Sequence, residues 1–278
     1  MNADKEKQAI QCLRAFEQQD EPYTVCYSGG KDSDTVRILA ELAGVNHQCK
    51  HNLTTVDAPE TVYYVRDVIG VENIERPPLT MWQLIIKKCI PPTRLIRYCC
   101  SELKKRNSRG KVKITGVRKS ESRSRNANQS FVTIEGAPKH TQRAADEIGA
   151  NYLVNSKGGV MLGEITEENR RLIGTVYKKT DISVNPIVDW SENDVWEFLH
   201  HYRCEGNPLY KSGFGRIGCV GCPLGGRKNM EREFELYPKY YKNYIKTFDR
   251  MIDERVRRGM GVPDKWSSGE AVMKWWLN

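Results

Sequence analysis

No stretch of the 278-residue chain approaches the roughly 18–20 consecutive apolar residues of a membrane-crossing helix, which excludes a helical membrane protein. The opening, MNADKEKQAIQCL, carries no apolar core of a secretory signal, so a cytoplasmic location with no membrane partner is expected. No internal repeat and no low-complexity linker breaks the chain, which argues against a solenoid or a tethered array of modules.

Apolar residues at 39% are enough for a packed core, and the length suits one large α/β domain or one domain with a smaller appendage. Lys and Arg outnumber Asp and Glu by 44 to 35, a net charge of +9. Such an excess is either a well-solvated surface or the footprint of a polyanionic partner. It is densest in KKRNSRGKVK (104–113) and RKSESRSR (118–125). Nine cysteines in a reducing compartment point to metal binding or catalysis before disulfides.

YTVCY (23–27) has the β-branched and aromatic composition of a short buried strand. Ser28, Gly29 and Gly30 then turn the chain, and apolar residues at 36, 38, 39 and 42 have helical spacing. Strand, glycine turn and helix start aim backbone N–H groups at an anion. Glycines let phosphate oxygens approach the main chain; Lys31 adds a point charge, and Ser28 and Ser33 add hydroxyls. The turn is neither the G-x-x-x-x-G-K-[ST] loop of γ-phosphate transfer nor the G-x-G-x-x-G dinucleotide turn. Lys31, Asp32 and Ser33 are the candidate catalytic residues.

Further along, residues 49–57 read as a second strand ending at Asp57, which either caps the helix begun by Pro59 or meets ribose, adenine or Mg²⁺. Residues 111–116 read as a third strand, ending in Gly116 and a cation-rich loop with Arg118 and Arg125. Open α/β sheets bind ligands at such strand ends, so a phosphate or sulfate cradle is the functional reading and a solvated surface the plain one. Residues 126–180 suggest antiparallel strands, SEND (191–194) a capping box, and 229–259 a basic aromatic helix interrupted at Pro238, its aromatics used for packing. Trp266, Trp275 and Trp276 tie the tail down. Cys219 and Cys222 form C-x-x-C, a pattern shared by zinc, redox and cluster sites. Cys99 and Cys100 are adjacent, which is awkward for tetrahedral zinc; four thiolates are what a [4Fe–4S] cluster needs.

SGGKDS (28–33) resembles the PP-loop of the ATP pyrophosphatases, which cleave ATP between the α and β phosphates. RYCCSELK (97–104), IGCVGCP (217–223), T-G-x-R (Thr115, Gly116, Arg118), NPIVDWSENDVW (185–196) and NPLY (207–210) resemble segments of adenylylsulfate reductases. The resemblance to the phosphoadenylylsulfate (PAPS) reductase-like family spans roughly residues 23–225. It implies an adenine nucleotide α-hydrolase-like α/β fold with a doubly wound, mainly parallel sheet over 1–205. A C-terminal cysteine-containing loop and helical extension would occupy 206–278; the boundary near 205, beside a loop rich in turn residues at 207–218, either separates two domains or divides one compact unit. It implies ATP and Mg²⁺ held by Ser28, Gly29, Gly30, Lys31, Ser33, Asp57, Gly116, Arg118 and Arg125. It also implies a [4Fe–4S] cluster, with zinc as the alternative, on Cys99, Cys100, Cys219 and Cys222. The reductases carry a nucleophilic cysteine on a C-terminal tail, whereas the last cysteine here is Cys222. The features therefore resemble most the DNA phosphorothioation branch. An ATP pyrophosphatase there adenylylates a nucleic-acid phosphate, DNA before tRNA, for sulfur delivered from a cysteine desulfurase. A sulfonucleotide reductase that borrows a cysteine, a tRNA thiolation enzyme, a sulfurylase-like subunit and a non-catalytic cluster-binding partner are the alternatives. Homo-oligomerisation is left open.

Overall fold

A computed structural model describes residues 3–104 and 110–278, so the cation-dense stretch at 104–113 falls in part outside the described residues. In chain order the strands are β1 (Tyr23–Cys26), β2 (His47–Asn52), β3 (Ile74–Glu75), β4 (Val112–Ile114), β5 (Val132–Glu135), β6 (Leu153–Val154), β7 (Val160–Leu162) and β8 (Asp181–Val184). The α-helices are α1 (Ala3–Ala15), α2 (Lys31–Ala43), α3 (Pro59–Ile69), α4 (Met81–Lys88), α5 (Arg123–Asn128), α6 (Pro138–Ile148), α7 (Glu167–Val176), α8 (Glu192–His201), α9 (Arg227–Leu236), α10 (Pro238–Arg257) and α11 (Gly269–Leu277).

The chain groups into two compact units that interleave along the sequence. The first comprises Met1–His51, Tyr64–Asn73 and Asn107–Arg216; the second comprises Asn52–Tyr63, Ile74–Arg106 and Ile217–Asn278.

In the first unit β1 pairs in parallel with β2 on one side (Tyr23 opposite His47) and with β4 on the other (Val25 opposite Ile114). β4 runs parallel to β8, and β8, β5, β7 and β6 then follow in antiparallel pairing. The sheet is thus parallel at its centre, with the antiparallel flank expected from residues 126–180. Its strands are apolar because helices cover them: Val25, Leu39, Ile114, Ile134, Ile182, Val184 and Phe198 are among the fully buried side chains. α2 starts directly after the glycine turn and stops at Gly44, whose φ of 66° and N–H bond to the Glu41 carbonyl close the helix. The expected capping box at α8 is formed, Ser191 Oγ accepting the Asp194 N–H at 3.1 Å.

β2 ends at Asn52, five residues short of the expected Asp57. Thr55 adopts φ 66°, a left-handed conformation that breaks a strand, and the Asp57 carboxylate takes the Thr54 N–H at 2.6 Å. In the second unit the interruption expected at Pro238 is formed, and the stretch 229–259 is divided between two helices, α9 and α10. Pro238 takes the first helical position of α10, where its missing N–H costs nothing. The aromatics pack as expected: Phe234, Tyr244, Phe248 and Trp276 form edge and tilted contacts 4.9–6.3 Å apart, and Trp276 Nε1 donates to the Pro92 carbonyl at 2.5 Å. Among the described residues no helix is long and apolar enough to cross a membrane.

Candidate functional site

In the first unit β1 sends its first connection to β2 on one side, and β4 lies on its other side. The carboxyl ends of β1 and β4 therefore flank the point where strand order reverses, the place where open α/β sheets take ligands. Two of the quoted motifs sit there. Ser28–Ser33 follows β1, and Thr115–Arg118 follows β4.

The turn after β1 is held from within. Gly29 has φ 74°, a value costly to any side chain. Ser33 Oγ accepts the Gly30 N–H at 3.1 Å and donates to the Gly30 carbonyl at 2.7 Å, while Ser28 Oγ lies 3.3 Å from Ser33 Oγ. Gly116 meets this turn at close range: a Cβ there would lie 2.7 Å from the Asp32 carbonyl oxygen. Only glycine permits that approach. Arg118, buried, donates from Nε to Asp32 Oδ1 at 2.6 Å and from Nη1 to Ser120 Oγ at 3.0 Å. Asp32 thus binds the second loop's arginine. Lys31 is buried as well; its ammonium lies 3.2 Å from Glu192 and 3.9 Å from Asp32, and 5.6 Å from the centre of the Tyr210 ring.

The other family segments serve as braces. Thr115 Oγ1 donates to Asn185 Oδ1 at 2.5 Å, and Asn185 Nδ2 donates to the Ser130 carbonyl at 2.7 Å. Lys119 N–H and Ser120 Oγ donate to the carbonyls of Val188 (2.8 Å) and Trp190 (3.1 Å). NPIVDW therefore backs the T-G-x-R loop. NPLY backs the first turn: Asn207 Nδ2 donates to the Gly29 carbonyl at 3.0 Å, and the Lys31 N–H donates to the Tyr210 hydroxyl at 2.9 Å. The Arg125 guanidinium pairs with Glu121, one turn away in sequence, and the same Glu121 carboxylate accepts the Arg118 backbone N–H at 3.2 Å.

Sequence reasoning missed Tyr210, Asn185 and Asn207 as site residues, although their segments were noticed. It also missed Asp34, fully buried one turn into α2. Burial raises the Asp34 carboxyl to about 6, against the opposing hydrogen bonds of the Tyr27 and Tyr64 hydroxyls.

The four cysteines all lie in the second unit. Cys100 opens a π-helical turn, Cys100–Lys104, a distortion often found at functional positions. Cys219 and Cys222 lie on a turn closed by the Cys222 N–H to Cys219 carbonyl bond at 3.2 Å. That turn is built tightly. Gly221 has φ 73°, and a Cβ there would lie 2.6 Å from Phe234 Cζ. Buried Glu233 accepts the Gly221 N–H at 2.7 Å, Tyr244 donates to the Val220 carbonyl at 3.1 Å, and the Val220 N–H donates to the Val56 carbonyl at 2.7 Å. Asp57 pairs with Cys219 in an isolated antiparallel bridge, and its carbonyl accepts the Tyr240 hydroxyl at 2.9 Å. Its carboxylate serves the local turn at Thr54. Asp57 is thus placed beside the thiols, within the second unit.

The Cys99 thiol is pushed up, first by its hydrogen bond with Cys100, then by burial and by the charges of Cys100, Cys219 and Cys222. All four thiols therefore share one electrostatic environment. The Lys104 ammonium is held above the usual lysine range, chiefly by Cys219. Thiolate sulfur is the donor type that a soft-metal centre takes, and the Lys104 ammonium offsets part of the thiolate charge. Among the described residues no three Cys, His, Asp or Glu side chains already converge as a metal-holding group. The donor chemistry fits; the convergence is not preformed.

Known proteins add the following. The sequence profile of the phosphoadenosine phosphosulfate reductase domain matches residues 22–224. Two uncharacterized proteins of Methanocaldococcus jannaschii are 23% and 27% identical over 84% and 87% of the chain. The matches cover 49% and 45% of those two proteins, so the chain spans about half the length of these relatives. An adenosine 5'-phosphosulfate reductase of Allochromatium vinosum is 49% identical over 39 residues, 14% of this chain and 15% of that one. A phosphoadenylyl-sulfate reductase structure from Candida auris, in a phosphate complex, superposes with a TM-score of 0.44 at 14% identity, covering 76% of this chain and 88% of that one.

Proposed function

Since the chain belongs to the phosphoadenosine phosphosulfate reductase domain family, we propose that it binds an adenine nucleotide at the turn 28–33 and acts as an ATP pyrophosphatase that activates a nucleic-acid phosphate for sulfur insertion. The observation that carries the nucleotide reading is the locking of two motif loops at the switch point of the sheet, with Gly116 against Asp32 and Arg118 bonded to it. Backbone amides at the start of α2 receive the diphosphate, Lys31 neutralises it, and Arg118 stands beside it.

The chemistry proceeds in two displacements. A non-bridging oxygen of the nucleic-acid phosphate attacks the α-phosphorus of ATP; the bond to the β-phosphate oxygen breaks, and pyrophosphate leaves with the electron pair. The outer sulfur of a persulfide carried from a cysteine desulfurase then attacks the adenylylated phosphorus and AMP leaves; a thiol reductant supplies the two electrons that cleave the remaining S–S bond, releasing the phosphorothioate and the carrier thiol. Adenylylation is needed because a phosphate oxygen is otherwise a very poor leaving group. The residues supply positioning and charge stabilisation rather than a base. Cys99, Cys100, Cys219 and Cys222 would hold an iron–sulfur cluster, or zinc in its place. A cluster would supply electron transfer or sulfur handling.

Sulfonucleotide reduction is the second reading, favoured by the 49% identity over 39 residues with an adenosine 5'-phosphosulfate reductase. Anaerobically prepared protein incubated with labelled ATP, Mg²⁺ and DNA separates the two. AMP and pyrophosphate are expected, and Lys31→Ala should lower their formation by about 100-fold or more. Sulfite release from adenylylsulfate with a thiol reductant, and no ATP cleavage, would replace the first reading by the second.

A further inference from the structure

Charge is distributed unevenly along α10, the longest helix of the second unit. Lys239, Lys242, Lys246 and Arg250 are all exposed, and none forms an ion pair with a described residue. At about 100° per residue they fall within an arc of roughly 80° and span roughly 16 Å of helix axis. The buried face with Tyr244, Thr247, Phe248 and Met251 lies on average roughly 150° round the axis. That inner face donates Tyr244 to the carbonyl of Val220, inside the C-x-x-C turn. One helix therefore supports the thiol turn on one side and presents four cations on the other.

An ordinary solvated face interleaves opposite charges three or four residues apart. The last turns of α10 do so: Glu254 binds Arg257 and Arg258, both at 2.6 Å. The preceding turns do not. Asp249 is engaged elsewhere, its carboxylate accepting the Gly269 N–H at 2.5 Å, and Asp253, which shares the arc three residues after Arg250, forms no ion pair with it. Lys239 moreover sits in the first turn, where the helix dipole disfavours a cation. A row of like charges that forgoes local pairing is suited to an external anion. The arc holds no large apolar side chain, as a membrane-surface helix would require. Its members recur every 4.5–6 Å along the axis, roughly, which matches a linear, regularly charged chain rather than a single ion.

We infer that Lys239, Lys242, Lys246 and Arg250 form a docking stripe for the sugar–phosphate backbone of nucleic acid. This rests on the reading that a nucleic-acid phosphate is the group activated, and adds where on the chain that substrate is held. No base contact is implied, so binding by this stripe is independent of sequence.

The test is the anisotropy of a short fluorescein-labelled DNA duplex of arbitrary sequence, titrated with the full chain at several salt concentrations. The fourfold variant Lys239→Gln, Lys242→Gln, Lys246→Gln, Arg250→Gln should lower the slope of log K against log salt by about 3–4, at about 0.9 per phosphate neutralised. Affinity at low salt should fall by roughly 100-fold. A control with the same loss of charge at the exposed Lys7, Lys139, Lys157 and Arg171 should keep most of the slope. Equal losses in the two variants, or an unchanged slope in the first, would overturn the stripe. So would a poly-glutamate peptide that binds the wild type as tightly as the duplex does, since that marks an acidic protein as the occupant. ATP affinity reports on the turn at 28–33 alone. A variant that binds ATP normally but has lost DNA upholds both inferences; ATP binding with no DNA binding in the wild type sinks only the stripe.

Discussion

Tyr210 occupies the backbone amide of Lys31, one of the amides a bound diphosphate would need. Its hydroxyl accepts that N–H at 2.9 Å, so nucleotide and phenol compete for one donor. Removing the hydroxyl frees the amide without disturbing the ring, whose edge packs on Trp196 at 5.0 Å. Tyr210→Phe should therefore bind pyrophosphate about 2–10-fold more tightly by calorimetry, the worth of one net hydrogen bond. Weaker binding would show instead that the hydroxyl contacts the ligand. Asp34 gives a second prediction at this scale. Its carboxyl is raised from 3.8 to about 6 in the fold, so the folded state holds that proton more tightly than the unfolded chain. The resulting stabilisation is complete below about pH 4 and disappears as pH rises through 6. In urea titrations across pH 4–8, Asp34→Asn should gain on the wild type by up to about 3 kcal/mol as pH rises. Parallel curves would show that Asp34 does not carry the shift. Neither role was legible in sequence. Gly29, Gly30 and Ser33 announce themselves by composition, but Tyr210 reaches the turn from 179 residues away, and nothing local marks that contact.

Among elements, the turns were easier to foresee than the supports around them. β1, the glycine turn and the Ser191 capping box follow from local propensity, and the structure forms each of them. The strand expected over 49–57 runs past the observed end of β2 because composition reveals neither the left-handed Thr55 nor the Asp57 carboxylate on the Thr54 N–H. In the same way C-x-x-C is plain in the sequence, while Glu233 and Tyr244, which hold its backbone, look like ordinary members of amphipathic helices. The turn tolerates little change. Gly221→Ala adds a Cβ at φ 73° and 2.6 Å from Phe234. The left-handed strain and the overpacking together should cost about 2–4 kcal/mol in denaturant unfolding. Cys219, buried and pushed up by desolvation, should at the same time react faster with a thiol reagent. A variant as stable and as unreactive as the wild type would mean that the turn relaxes easily.

At the scale of the whole chain, turn composition suggests a boundary near residue 205, whereas contacts gather 52–63 and 74–106 with 217–278. Sequence alone shows where a chain turns, not which later helix returns to cover an earlier one. In the second unit that return is extensive. Arg255 Nη1 donates to the Cys89 carbonyl at 2.7 Å, Trp276 Nε1 to the Pro92 carbonyl at 2.5 Å, and Arg258 Nη1 to the Lys87 carbonyl at 3.0 Å. Trp82 of α4 stacks edge-on to Tyr244 of α10 at 4.8 Å. Met81, Leu84 and Ile85 of α4 are buried. Burial of three such side chains contributes about 5–9 kcal/mol, as much as the net stability of a typical domain. Deleting residues 217–278 leaves the segment 74–106 without its cover and removes the partners of Cys99 and Cys100. The truncated chain should bind a hydrophobic dye, and protease should cut it within 74–106 far faster than it cuts the full chain. Should the truncated chain instead keep 74–106 protected and dye-free, those residues must find their core elsewhere, and the second unit is not held together by the return of its C-terminal helices.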